Sequence, residues 1–179
     1  MAREHCYVNK SATTVDTSRF FAELGARLIS SRICHPDALL PCPEAEVSDI
    51  ERRAGVQLPG MYRGFLRTMG RGAGRLFSGT DMFYDPRIDF RALALEVLRR
   101  EPRPIELPEP AAQCLVFAAH QGYQCWYLDL VERTSDPPVW HFIMDTEAPR
   151  PLGETFSKFL LAEVDGMEAL LAKRPRLRA

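Results

Sequence analysis

LVFAAHQGYQCWYLDLVERTSDPPVWHFIM, running from Leu115 to Met144, decides how this chain folds. Two apolar arms flank the short polar turn His120-Gln121-Gly122-Tyr123, and a second polar turn from Glu132 to Pro138 leads into a third apolar run. Runs rich in β-branched and aromatic residues, separated by Gly- and Pro-bearing turns, predict strands at about 114–120, 123–131 and 138–145. Pro137 and Pro138 lack N–H donors, which limits how far the second pairing extends. The segment reads as the middle of an antiparallel sheet. It brings no nucleophile, base and oxyanion donors together in sequence, which favours a binding module over an enzyme.

Upstream of this meander the pattern is helical. Asp16-Thr17-Ser18 offers caps for a helix in which Phe20, Phe21, Leu24 and Leu28 recur at helical spacing, ending near Ser31. The segment from Cys34 to Pro43 holds three prolines and breaks regular structure. Glu44 to Arg53 then places Val47, Ile50 and Ala54 on one face, with Gly55 as its stop. Leu58-Pro59 opens a third helix, Pro59 suiting the first helical position, with a stripe of Met61, Tyr62, Phe65, Leu66 and Met69. Arg71 to Arg75 reads as a loop, Leu76 to Tyr84 as a strand weakened by Gly79, and Asp89 as the cap of a helix carrying Phe90, Leu93, Val97 and Leu98. The proline-rich EPRPIELPEP, Glu101 to Pro110, reads as a surface loop. A last helix starts near Thr155 with Phe156, Phe159 and Leu160 inward and restarts at Asp165 with Met167, Leu170 and Leu171. Helices first, a meander, then a helix is an α+β arrangement.

Composition sets limits on function. The 179 residues suit one domain with a full core, residues 1–14 and 173–179 reading as flexible ends. Lys and Arg total 23 against 24 for Asp and Glu, so no global basic field favours nucleic acid. The N-terminus lacks an apolar segment and no run of eighteen apolar residues occurs, so the expectation is a cytoplasmic protein without a membrane span. Five cysteines, Cys6, Cys34, Cys42, Cys114 and Cys125, are an odd number and fit reduced thiols.

Each chemical constellation has a plainer structural reading. The glycines of Arg71 to Arg75 follow a helix and lack GK[ST] or GxGxxG, so they serve a helix stop and turn rather than a phosphate cradle. His5, Cys6, Cys34, His35 and Cys42 contain no CxxC or HxxxH, and the expectation is neither metal nor cofactor. Cys114 and Cys125 read as core fillers. Asp81, Asp85 and Asp89 recur every four residues, but Pro86 breaks any helix that would align them; Asp85 suits a turn, Asp89 a cap, and Asp81 stays free for function. Ser78, Cys114 or Cys125 with His120 or His141 would be the nucleophile and base, and Asp129 an acid beside His120, yet no GxSxG or third member is placed by a motif. Tyr123, Trp126, Tyr127, Trp140 and Phe142 lack the interleaved basic residues of an RNA-binding sheet and read mostly as core.

Two blocks carry a family resemblance. EAEVSDIERRAGVQLPGMYRGFLRTMGRG, Glu44 to Gly72, resembles the helix-LP-helix-glycine signature of the SUKH superfamily, the Smi/Knr-like proteins and bacterial immunity proteins. The matching residues are Ile50 and Glu51, Gly55, Leu58-Pro59, Tyr62, Phe65 and Leu66, then Gly70 and Gly72. Met69-Gly70-Arg71-Gly72 departs from the Asn-Gly-Gly that the family often places there. LVFAAHQGYQCWYLDL, Leu115 to Leu130, is similar to the family's central hairpin, with Val139 opening the next strand and Phe156 and Phe159-Leu160 in its last helix. The likeness spans about residues 40 to 165. It implies an α+β fold with a mostly antiparallel sheet flanked by helices, no catalysis, and a protein partner: a cognate bacterial toxin, of nuclease or deaminase type, neutralised by direct binding. A regulatory or scaffold role of the Smi/Knr type is the alternative it implies. The expected contacts are His120, Gln121 and Tyr123 in the hairpin turn, with Asp81 and Tyr84 in the preceding loop.

Overall fold

The computed structural model describes residues 16–100, 113–144 and 149–173. The expectations for residues 1–14, the proline-rich stretch 101–110 and the tail beyond Lys173 lie outside the described residues. Among those described, α1 (Thr17–Ser30), α2 (Glu44–Ala54), α3 (Gly60–Met69), α4 (Phe90–Arg99) and α5 (Phe156–Lys173) accompany two antiparallel sheets. The larger sheet runs β3 (Cys114–His120), β4 (Gln124–Asp129), β5 (Pro138–Ile143) and β6 (Arg150–Thr155) in sequence order. The smaller pairs β1 (Leu39–Leu40) with β2 (Gly72–Ala73).

Local chemistry sets the helix ends. Asp16 and Asp89 cap α1 and α4 by accepting from the N–H groups of Arg19 and Ala92. Gly55 ends α2 at φ 65°, a left-handed conformation that glycine adopts without steric cost. Pro59 is the extended cap of α3 rather than its first helical residue, and the Met61 N–H behind it donates to Ser135 O at 2.8 Å. The corner between α2 and α3 closes through Glu51, whose carboxylate accepts from the Leu58 N–H at 2.9 Å and pairs with Arg63. Gly64 permits the α1–α3 crossing: a Cβ there would sit 2.5 Å from Phe21 Cε2 and Thr17 Cγ2.

Helices cover both faces of the larger sheet. On one face Leu115, Phe117, Leu128 and Val139 join residues of α1, α3 and α5 in the main core; on the other Cys114, Val116, Cys125, Tyr127 and Phe142 pack against Ala94, Val97 and Leu98 of α4. Burial on both faces explains why β3 reads as a continuous apolar run rather than an alternation. A bulge between Val116 and Ala118 lets Phe117 and Ala118 both enter the main core. Phe117 meets Tyr62, Phe156 and Phe159 with ring centroids 6.1, 5.4 and 5.6 Å apart.

Four further sequence expectations are corrected. Leu76 to Tyr84 is not a strand: Phe77 and Gly79 take positive φ, at 59° and 87°, and only Asp81 bridges to Ala119. Within the Arg71 to Arg75 loop, Gly72 and Ala73 form β2. The meander gains a fourth strand, β6, where Pro151 is tolerated because the strand lies at the sheet edge. The last helix does not restart at Asp165; α5 is continuous, and its phase leaves Leu170 exposed while Leu171 is buried.

Candidate functional site

The β3–β4 hairpin presents the turn on a fixed base. Three residues, Gln121 to Tyr123, link the paired His120 and Gln124, and the Tyr123 N–H donates to His120 O at 3.2 Å. Gln121 and Gly122 have φ of 49° and 72°, the positive pair a type I′ turn demands. Glycine meets this without strain, whereas Gln121 pays for its Cβ. Tyr123 O accepts from the Met144 N–H at 2.8 Å, so the end of β5 braces the turn. The Tyr123 side chain keeps 36% of its surface exposed and packs edge-on against the His120 ring at 5.6 Å.

The loop before α4 locks this tip from the side. The Asp81 N–H donates to Ala119 O and the Ala119 N–H to Asp81 O, at 2.8 and 2.9 Å, leaving the Asp81 side chain exposed. One residue earlier, Thr80 Oγ1 lies 3.0 Å from His120 Nδ1. A Cβ added at Gly122 would lie 3.7 Å from Arg100 Nη1, which places the end of α4 beside the turn. The structure therefore brings His120, Gln121, Tyr123 and Asp81 together.

Tyr84 lies elsewhere. Its N–H donates to Gly70 O at 2.6 Å and its hydroxyl to Asp49 Oδ2 at 3.3 Å; burial and the nearby Asp49 carboxylate push its pKa up. It lines a cleft of about 310 Å³ between α2, α3 and the other end of β3, together with Ile50, Tyr62, Leu66, Met82 and Leu115.

Three groups that the sequence reading did not assign to the site adjoin the tip: Thr80, Gln124 and the pair Trp126 and His141. Cross-strand register makes the pair, Trp126 opposite His141, with rings stacked at 4.5 Å and 5° apart. His141 Nε2 lies 2.9 Å from Gln124 Oε1, and Gln124 is the partner of His120. Burial lowers the His141 pKa, so the ring favours its neutral form.

The nucleophile and base candidates are dispersed. Ser78 Oγ donates to Arg75 O at 2.8 Å, and Cys114 and Cys125 are buried in the α4 core, where burial pushes the Cys125 thiol up to about 12. Cys114 and Cys125 do not face each other; their strand partners are Asp129 and Ala119. Asp85 accepts from the Arg87 N–H and guanidinium, which hold its carboxyl down at about 2, and Asp89 caps α4, so the three aspartates have three separate roles. Cys34 and Cys42 are buried while His35 is exposed; among the described residues no group of three or more His, Cys, Asp or Glu is placed to hold a metal ion. None of their helices is long and apolar enough to cross a membrane.

No curated protein matches the chain. The family model described as SMI1-KNR4 cell-wall, SUKH_6, matches residues 44–160, from the first turn of α2 to the first turns of α5. That family is generally non-catalytic, and membership suggests a protein-binding module. The match spans well over half of the 179 residues and takes in the α2–α3 corner, the hairpin and the following strands: this chain belongs to the SMI1-KNR4 family of the SUKH superfamily.

Proposed function

We propose that this chain is a non-catalytic immunity protein that neutralises a cognate bacterial toxin, of nuclease or deaminase type, by binding it directly in the cytoplasm. One observation carries the reading beyond family membership. Tyr123 is an exposed aromatic at the end of a hairpin in which Thr80 holds His120, Asp81 holds Ala119 and Met144 holds the Tyr123 carbonyl. An aromatic side chain on a rigid base loses little conformational freedom on binding, which favours it as an interface anchor. His120, Gln121 and Asp81 surround it as adaptable polar contacts, while Tyr84, at the cleft, would contribute only to an interface that extended along β3. Inhibition would be steric and electrostatic, over an interface of about 800 Å² per partner.

The test is co-expression and pull-down with the product of the neighbouring gene. Rescue of the host and nanomolar binding are expected, and Tyr123→Ala should weaken binding at least about tenfold without moving the melting temperature. A neighbouring toxin that still kills the host and is not captured would refute the immunity reading. Capture of several non-toxic partners would instead favour the regulatory role of the Smi/Knr type.

A further inference from the structure

The cleft at the far end of β3 is separate from the hairpin tip. Leu115 and His120 are five residues apart on the strand, about 16 Å at the usual rise per residue. The floor is apolar, formed by Ile50, Leu66, Met82 and Leu115, with Tyr62 among them. Charged residues occur at its wall in balance, Arg53 and Arg91 against Asp85 and Asp89, so the opening has no strong field of either sign. Three of them are held by internal bonds: Asp85 pairs with Arg87, Asp89 caps α4, and Arg53 binds Asp49 and Pro86 O. An ion entering the cleft would have to compete with these contacts.

Tyr62 differs from the rest of the lining. The residue is only 3% exposed, its ring packs on Phe65, Phe117 and Phe156, and no hydrogen bond of its hydroxyl is seen among the described residues. The hydroxyl is not sealed from solvent, so it is open to a ligand's hydrogen-bonding atom. The volume, about 310 Å³, lies at the lower end of small-molecule pockets, and their usual chemistry is an apolar wall with a few polar groups that set orientation.

We propose that this cleft binds a small, uncharged, largely apolar molecule that places a single hydrogen-bonding atom on the Tyr62 hydroxyl. The apolar wall supplies the affinity and Tyr62 the orientation. The site does not depend on the toxin reading, since it shares no residue with the hairpin tip.

Titration of the full chain with p-cresol and with toluene, followed by amide NMR, tests the proposal. Both probes should saturate, with shifts centred on Tyr62, Leu66, Met82 and Leu115. Tyr62→Phe should weaken p-cresol about fivefold, the worth of one ordinary hydrogen bond, and leave toluene unchanged. Ala54→Trp, which fills the cleft from the end of α2, should abolish both titrations. Failure of either probe to saturate, or shifts elsewhere, overturns the cleft as a site; equal effects of Tyr62→Phe on the two probes overturn the role of Tyr62. Should Ala54→Trp fail to fold, the Tyr62→Phe comparison decides alone.

Discussion

At the scale of single residues, the tip is built with a cost that can be measured. Gln121 holds φ at 49° where glycine or asparagine is the usual choice. Gln121→Gly removes the steric penalty but loosens the unfolded chain, and the net expectation is a gain of roughly 0.5 kcal/mol in urea unfolding. If the Gln121 side chain contacts a partner, the same substitution weakens binding while the free protein becomes more stable. His141 makes the second prediction. Its pKa lies below the ordinary value of about 6.5 because burial against Trp126 disfavours the charged ring. The unfolded chain therefore binds the proton more readily than the folded one. The stability contributed by the neutral ring is full above the unfolded pKa and is lost as pH falls towards the folded one. The melting temperature should drop between pH 7.5 and 5.5, and His141→Gln should flatten that slope; an unchanged slope would show that the ring titrates as it does in water.

Single elements show which parts of the fold the sequence announces. Helices α1 to α4 announce their ends through local caps and apolar stripes, and the three strands of the meander through composition and turn chemistry. The strand expected at Leu76 to Tyr84 is absent because backbone sign at Phe77 and Gly79 overrides side-chain composition. Strand β6, with Arg150 and Pro151 at its start, looks like a turn in isolation; only the edge of β5 makes it a strand. The tip was legible for the same local reason as the helices. The bonds that brace it were not, because Thr80 and His120 are 40 residues apart and Gln124 and His141 are 17 apart, and register alone brings them together. Helix α5 offers a test of its continuity. Gly166 looks like a break, yet it sits inside the helix, and an added Cβ would meet nothing within 4 Å. Gly166→Ala should therefore stabilise the protein by about 0.5–1 kcal/mol, read from the thermal midpoint. A loss instead would mean that the two halves of α5 need the freedom of a hinge.

For the whole molecule, β3, like β4 and β5, contributes side chains to both cores. Val116 faces α4 and its smaller core, whereas Phe117, one residue on, faces the aromatic cluster of α3 and α5. Val116→Ala removes two methyl groups from the α4 side and should cost about 1.5 kcal/mol. Phe117→Ala leaves a cavity among Tyr62, Phe156 and Phe159 and should cost about 3–5 kcal/mol, a large share of the stability of an ordinary domain. The two substitutions also differ in reach. Because α4 packs on its own face of the sheet, Val116→Ala should speed hydrogen exchange in α4 while α1, α3 and α5 keep their protection. Phe117→Ala should speed exchange in all of them, since it sits where the sheet meets the main core. Equal loss of protection in α1 and α4 for Val116→Ala would show that the two faces of the sheet open as one unit. Separate losses would show that α4, whose last turn lies beside the hairpin tip, can open without unfolding the main core.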